Sequence, residues 1–298
     1  MAKKRGVVGI VGLGIMGGAF AKNLAAKGWT VIGFDPSKKA AAAARRNGAT
    51  IIDSAAAVAS SAPVVITSLP KPGILHDVAR EIAGAKLSKR TIVEMSTFEI
   101  KDKDKAAQIL GKAGHTVLDV PVSGTGSQAR TGDLVFYASG DSRTIKKLQP
   151  MFQAFGRKAY DVGGFGNGCR MKYVANLLVA INNVATAEAM VLGMKSGLKP
   201  QLIFDLIQAG AGNSRVFELR APMMVANDYD DATMKIDVWQ KDMQVIGDFA
   251  KQIGVKAPLF RASAPIYDKA MRAGLGKKDT AAVCAVLETM AHYKRGKR

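Results

Sequence analysis

Apolar positions follow two rhythms along this chain, and the change between them divides it. In the first half, short apolar runs alternate with longer segments of helical composition. Residues 7–11, 30–34, 63–67, 91–95, 116–120, 134–138 and 158–162 read as strands, with a minimal one at Ile51-Ile52. Between them, 19–27, 38–47, 74–82, 99–113 and 141–154 read as helices, and 54–60 as a helical turn. Strands that alternate with helices pair in parallel through crossovers, which predicts a doubly wound α/β sheet. After Gly163-Gly164-Phe165-Gly166-Asn167-Gly168 the rhythm becomes helical throughout. Residues 171–196 predict one long helix, stopped by Gly197 and Pro200. Further helices are expected at 201–209, 217–225, 237–253, 257–273 and 280–293. The expected organisation is a Rossmann-type doubly wound domain over 1–165. An all-helical domain over 166–298, opening with the long helix, follows it.

Two apolar stretches raise the question of targeting. Lys3-Lys4-Arg5 precedes an apolar run over 7–20, and Ala19-Phe20-Ala21 has the look of a leader cleavage site. Gly9, Gly12, Gly14, Gly17 and Gly18 interrupt that run. Each glycine costs a helix about 1 kcal/mol relative to alanine, so a strand and turn is the better reading. The stretch 173–194 is broken by Asn176, Asn182, Asn183 and Glu188. It falls short of the ~18 uninterrupted apolar residues of a membrane span. A cytoplasmic protein without a membrane partner is expected.

The two cysteines and three histidines lie far apart, so neither a disulfide framework nor a local metal motif is present. The formal charge of +19 attracts anions. Some of it sits in the terminal clusters Lys3-Lys4-Arg5 and Lys294-Arg295-Gly296-Lys297-Arg298, and the rest is interspersed with acids, as in Lys101-Asp102-Lys103-Asp104-Lys105. The cations are not interleaved with aromatics, and no helix-turn-helix, zinc-finger or RNA-recognition signature accompanies them. Small anionic molecules are therefore expected partners in preference to nucleic acid.

Gly12-Leu13-Gly14-Ile15-Met16-Gly17 follows a strand and opens a helix, the context in which this spacing cradles a dinucleotide pyrophosphate. Gly12 permits the tight turn, Gly14 admits the phosphates, and Gly17 allows close packing. The helix N-terminus offers unpaired N–H groups to the anion. Asp35 ends the next strand, eighteen residues after Gly17. A carboxylate there accepts from ribose hydroxyls and repels a 2′-phosphate, which favours NAD. The neighbouring Lys38 and Lys39 leave NADP open. Lys172 and Asn176 lie four residues apart on the long helix and share a face. A free lysine has a pKa near ~10.4, so a base role requires burial or cationic neighbours, for which Arg170 and Lys241 are candidates. Spacing alone leaves a surface lysine and a catalytic one equally open.

Four blocks in order resemble the β-hydroxyacid dehydrogenase family, whose members include 3-hydroxyisobutyrate dehydrogenases and tartronate semialdehyde reductases, with 6-phosphogluconate dehydrogenase as a relative. They are the glycine loop with Asn23-Leu24, Asp119-Val120-Pro121-Val122-Ser123-Gly124, Gly166 through Asn176, and Lys241-Asp242-Met243. The resemblance spans nearly the whole chain. It implies that Lys172 is the catalytic lysine and that Asn176 holds substrate. It implies that Ser123 and Gly124, with Thr125 beside them, bind the substrate carboxylate. Thr97 would sit near the nicotinamide, Leu69-Pro70 would line the cofactor crevice, and Lys241 would reach the active site with Asp242 orienting its helix. The implied activity is NAD-dependent dehydrogenation of a small 3-hydroxy acid by a homodimer or homotetramer. Two alternatives remain: an NADPH-dependent semialdehyde reductase, and a non-enzymatic nucleic-acid-binding protein on the same fold. The chain departs from the family at Thr125-Gly126-Ser127-Gln128-Ala129-Arg130, where a Gly-Gly or Gly-x and a later Gly-Ala are usual. That puts substrate size and charge in question, with Arg130 as a possible second anion contact. The segment 211–218 resembles the branch that includes threonate dehydrogenases.

Overall fold

The structure, a computed structural model, describes residues 5–296. Lys3, Lys4, Lys297 and Arg298 of the basic clusters lie outside them. Two compact units emerge, one reaching to Lys172 and the other starting at Tyr173.

The first unit is built on six parallel strands: β1 (Val7–Val11), β2 (Thr30–Phe34), β3 (Thr50–Ile51), β4 (Val64–Thr67), β5 (Thr91–Glu94) and β6 (Thr116–Asp119). Their spatial order is β3-β2-β1-β4-β5-β6. The order reverses beside β1, where Val8 pairs with Val31 on one side and Val64 on the other. Such a reversal leaves a crevice at the strand C-termini, where doubly wound sheets take their ligands. The connecting helices are α1 (Ile15–Ala26), α2 (Lys38–Arg46), α3 (Ala55–Ser61), α4 (Pro72–Gly84) and α5 (Ile100–Lys112). Ser37 and Ser54 set where α2 and α3 begin, their hydroxyls accepting from Ala40 N at 3.3 Å and Ala57 N at 3.0 Å.

Both faces of this sheet are buried, which is why its strands read as continuous apolar runs. Val8, Ile10 and Ile66 pack to one side with Phe20, Phe152 and Phe155, while Val11, Val65 and Ile92 pack to the other with Leu75, Ile82 and Leu110. Phe20, Phe136, Phe152 and Phe155 cluster in the first layer, where the Phe136 and Phe155 rings lie 4.9 Å apart.

Beyond β6 the chain makes a second, three-stranded sheet of β7 (Val122–Ser123), β8 (Val135–Ala138) and β9 (Lys158–Asp161). β7 is antiparallel to β8, and β8 is parallel to β9. The short α6 (Gly126–Thr131) joins the first two, and α7 (Ser142–Phe155) the last two. The sequence reading contains neither β7 nor α6. Two and six residues are too few to display a period.

The second unit is helical. α8 (Asn167–Lys195) enters it, followed by α9 (Pro200–Ala209), α10 (Arg215–Ala226), α11 (Ile236–Gln252), α12 (Pro258–Arg272) and α13 (Val283–Met290). The segment expected as one helix over 280–293 opens instead with a 3₁₀ turn, Thr280–Ala282, capped by the Asp279 side chain. By length and composition α8 is apolar enough to cross a membrane. Its buried Asn183, however, donates to Tyr267 Oη at 3.1 Å and to Thr280 O at 2.9 Å. These bonds tie α8 to α12 and to the 3₁₀ turn within this unit. Arg295, from the basic C-terminal cluster, is docked on Glu288 at 2.8 Å.

Asp279 holds the loops of this unit together. Its fully buried carboxylate accepts from Arg220 Nη1 at 2.9 Å, Thr233 N at 2.8 Å, Met234 N at 3.1 Å and Ala281 N at 2.9 Å. Asp279→Ala should leave a buried guanidinium and three amides without their acceptor. The expected loss is about 3–5 kcal/mol of unfolding free energy in urea, and a loss under about 1 kcal/mol would contradict this role.

Candidate active site

At the end of β1 the chain turns at Gly12, whose φ is +91°. A Cβ there would lie 2.2 Å from Ser68 O, and one at Gly17 would lie 1.9 Å from Gly12 O. Both positions exclude a side chain because backbone from β4 and from the turn itself fills the space. Gly14 differs: a Cβ there would meet nothing within 4 Å. Gly14 is also the N-cap of α1 and provides no side-chain acceptor for that helix. Room for an anion at a helix N-terminus is what a pyrophosphate requires, so the loop fits a dinucleotide. Leu13 is buried beneath the loop and Ile15 is 76% exposed above it.

Asp35 is part of this cradle. Its Oδ2 accepts from Leu13 N at 2.7 Å and its Oδ1 from Ser37 N at 2.8 Å. Each oxygen retains acceptor capacity, and the two amides fix its direction. Lys38 and Lys39 next to it are exposed. Leu69 reaches back toward Gly12, and its N–H donates to Ser96 Oγ at 2.9 Å. Pro70 is exposed and Thr97 half-buried, just past the ends of β4 and β5.

The Ser123-Gly124-Thr125 turn abuts the cofactor loop. Gly124 has φ +137°, and a Cβ there would lie 2.5 Å from Leu134 Cδ2. Thr125 opens α6 in a capping box with Gln128, its N–H donating to Gln128 Oε1 at 3.1 Å. At Gly126 a Cβ would come 2.7 Å from Ile15 Cγ2, so the two loops touch. Asn23 on α1 ties them further by donating from Nδ2 to Ala129 O at 2.7 Å. The sequence marks Asn23 as part of a motif and nothing in it indicates a partner 106 residues away. Arg130 stands exposed on α6.

Beneath this crevice lies a buried ionic trio. Lys103 Nζ is 2.6 Å from Glu94 Oε2 and 2.6 Å from Asp119 Oδ1. Lys103 therefore does not belong to the solvated charge run 101–105. It lies on the inner face of α5 with Ala106 and Leu110, a spacing visible in the sequence but masked by its charged neighbours. Burial pushes the Glu94 carboxyl up. Burial opposes the Lys103 charge too, but the acidic groups around it, Asp119 foremost and Glu94 with it, together outweigh burial and hold the ammonium well above its usual range.

Asp119 also fixes the start of α8. Its Oδ2 accepts from Cys169 N at 2.9 Å, and Ser139 Oγ, 3.1 Å from the same oxygen, accepts from Gly168 N at 3.0 Å. A Cβ on Gly168 would fall 2.7 Å from Asp119 O, so only glycine lets the helix start this close. Burial raises the Cys169 thiol to about 12, which leaves it a neutral packing group. Lys172 follows one turn later, half-buried. Arg170 donates to Asn167 Oδ1 at 2.9 Å.

In the second unit Asn176 is buried, and its Nδ2 donates to Asp242 Oδ2 at 2.9 Å. Lys241 Nζ lies 3.3 Å from Asp242 Oδ1. Asp242 thus orients the Asn176 amide, beyond the helix-orienting part expected for it.

Two outcomes are expected. Gly17→Ala should force the turn apart at a cost of about 1–3 kcal/mol, and dinucleotide affinity measured by calorimetry should fall roughly tenfold or more. Unchanged affinity would remove Gly17 from the cradle. Because the folded pKa of Glu94 is raised, its contribution to stability is full below 4.5 and is lost as pH rises through the raised value. Glu94→Gln cannot ionise, so its stability relative to the parent should improve as pH increases across that window. A difference independent of pH in denaturant titrations would refute the assignment.

Comparison with known proteins places this geometry in a family. Residues 7–164 match the NAD binding domain of 6-phosphogluconate dehydrogenase, and residues 166–287 match the family described as NAD-binding of NADP-dependent 3-hydroxyisobutyrate dehydrogenase. The chain is 32% identical to 2-(hydroxymethyl)glutarate dehydrogenase of Eubacterium barkeri, over 95% of each chain. It is 33% identical to L-threonate dehydrogenase of Haemophilus influenzae, over 71% of this chain and 70% of that one. Among solved structures it resembles Mycobacterium tuberculosis 3-hydroxyisobutyrate dehydrogenase with L-serine, at TM-score 0.86 and 29% identity, over 95% of this chain and 99% of that one. These matches cover both units, and the chain belongs to the β-hydroxyacid dehydrogenase family of NAD(P)-binding oxidoreductases.

Proposed function

We propose that this protein is an NAD-dependent 3-hydroxyacid dehydrogenase acting on a small anionic acid of the 3-hydroxyisobutyrate, glycerate or threonate type. The observation that carries the reading is Lys172, one turn past a helix start pinned to the end of β6, in a unit that also holds the glycine cradle. The relatives suggest the substrate class. 3-Hydroxyisobutyrate, 2-(hydroxymethyl)glutarate and L-serine, named for two of them, share a hydroxymethyl group on the carbon that bears the carboxylate.

Gly12, Leu13, Gly14, Ile15, Met16 and Gly17 would hold the pyrophosphate, with Leu69, Pro70 and Thr97 along the crevice. Asp35 would accept from the adenosine ribose hydroxyls and repel a 2′-phosphate, which underlies the preference for NAD; exposed Lys38 and Lys39 moderate it. A nicotinamide bound there supplies the hydride acceptor. Ser123 and the Gly124 N–H, with Thr125, grip the substrate carboxylate. Lys172 takes the hydroxyl proton and stabilises the developing oxyanion. Asn176, oriented by Asp242, holds the substrate from the same helix face, and Lys241 completes the site. The unit up to Lys172 would serve the cofactor and the helical one the substrate and self-association. A homodimer or homotetramer is supported by apolar residues on the helical unit such as Leu192, Leu206 and Leu259, at 74%, 65% and 66% exposure. The free, buried Cys169 and Cys284 suit a cytoplasmic setting.

The test is reduction of NAD⁺ and NADP⁺ with 3-hydroxyisobutyrate, serine, glycerate, threonate and 3-hydroxypropionate, alongside the reverse reaction on tartronate semialdehyde. Turnover of at least one acid with NAD⁺ is expected. Lys172→Ala should lower kcat by about 10²- to 10⁴-fold while NAD⁺ binding persists. Normal turnover by that variant would sink the assignment.

A further inference from the structure

The ionic trio under the crevice has no part in the reaction just described, yet it adjoins three elements that carry a part, β5, β6 and α8. Glu94 ends β5, two residues before Ser96, whose hydroxyl accepts from Leu69 N on the cofactor crevice. Asp119 ends β6 and immediately precedes the block that carries Ser123 and Gly124. The same Asp119 accepts from the first amides of α8, directly at Cys169 N and through Ser139 Oγ at Gly168 N. Lys103 sits between the two carboxylates, its side chain wholly buried.

Stability alone is a weak reason for this arrangement, because well-packed apolar residues of similar volume usually serve as well as a buried ion cluster. Its geometry gives a stronger one. A carboxylate has four acceptor directions, and a helix N-terminus presents free N–H groups and positive potential to it. Seated on Lys103, Asp119 cannot turn away without leaving an ammonium half-compensated inside the protein. The first turn of α8 is therefore fixed against the end of β6. Lys172 lies three residues beyond Cys169 on that helix, within one turn of the clamp.

We propose that Asp119, held by Lys103, is a positioning residue for the reaction: it sets the start of α8, and with it Lys172, against the Ser123-Gly124 loop. This rests on the dehydrogenase reading given above. Asp119 touches neither substrate nor cofactor and acts through the helix.

The test uses the full chain with the best acid of the substrate panel. The parent protein and Lys172→Ala are run first, so that failure of the dehydrogenase reading shows before Asp119 is altered. Asp119→Asn keeps the shape and removes the charge. It should bind NAD⁺ within about twofold of the parent, because the glycine cradle and Asp35 are untouched, while kcat falls about 10- to 100-fold, the scale of a small misplacement of a reacting group. The fall should appear in kcat with the KM for the acid little changed; a role confined to stability would leave kcat of the folded protein at the parent's value. Ser139→Ala removes one of the two links to α8 and should show a smaller fall in kcat. Parent-like kcat in a folded Asp119→Asn protein would overturn the proposal. If that variant does not fold, the same parent-like result from Ser139→Ala overturns it, and a lowered kcat with intact NAD⁺ binding supports it.

Discussion

A carboxylate buried without water must find several donors, and Asp119 finds them on three separate elements. Lys103 from α5, Ser139 from the turn after β8 and Cys169 from the start of α8 all converge on it. These segments are distant in sequence, and each brings a part of the site. β6 leads to the Ser123-Gly124 turn, and α8 carries Lys172. Leaving any one donor unmade exposes an uncompensated charge in a medium that cannot screen it. The geometry of the first unit at its crevice end thus follows from the need to satisfy one side chain.

The glycines make a second, complementary constraint. At Gly12, Gly17 and Gly168 the space for a Cβ is filled by carbonyl oxygens of the same unit. Those three let strand, turn and helix approach to backbone contact, so their role is structural wherever the chain goes next. Gly14 is crowded by nothing. Openness alone does not single it out, since Gly73, Gly84 and Gly111 are equally open; its place at the N-cap of α1 does, because a side chain there would stand where an anion meets the helix N-terminus.

Much of this was legible in the residues. The strand runs of the large sheet, the helical second half and the fingerprint are local patterns, repeated over enough residues to show their period. Asp35 was identifiable by spacing because its distance from Gly17 reflects one helix and one strand. Lys103 was not, although it shares a stripe with Ala106 and Leu110. Flanked by Lys101, Asp102, Asp104 and Lys105, it has the composition of a solvated face, and its partners lie on strands whose neighbours cannot be read from order alone. β7 and α6 escaped for want of length. Asn23 was visible as a residue and invisible as a tie, since a side chain that donates to a distant carbonyl leaves no periodic trace.

The charge acquires a different meaning once the buried groups are set apart. The formal +19 belongs largely to exposed side chains such as Lys38, Lys39 and Arg130, which water and salt screen. Charges of that kind raise the local concentration of anions without choosing among them. Choice requires groups whose directions are fixed. Here those are Asp35, aimed by two backbone amides, and Asn176, aimed by Asp242. Lys172 belongs with them because the helix beneath it is anchored, even though its own side chain is only half-buried. The exposed excess draws anions toward the surface without distinguishing them, and on the dehydrogenase reading proposed above the choice among them falls to the few groups held by hydrogen bonds.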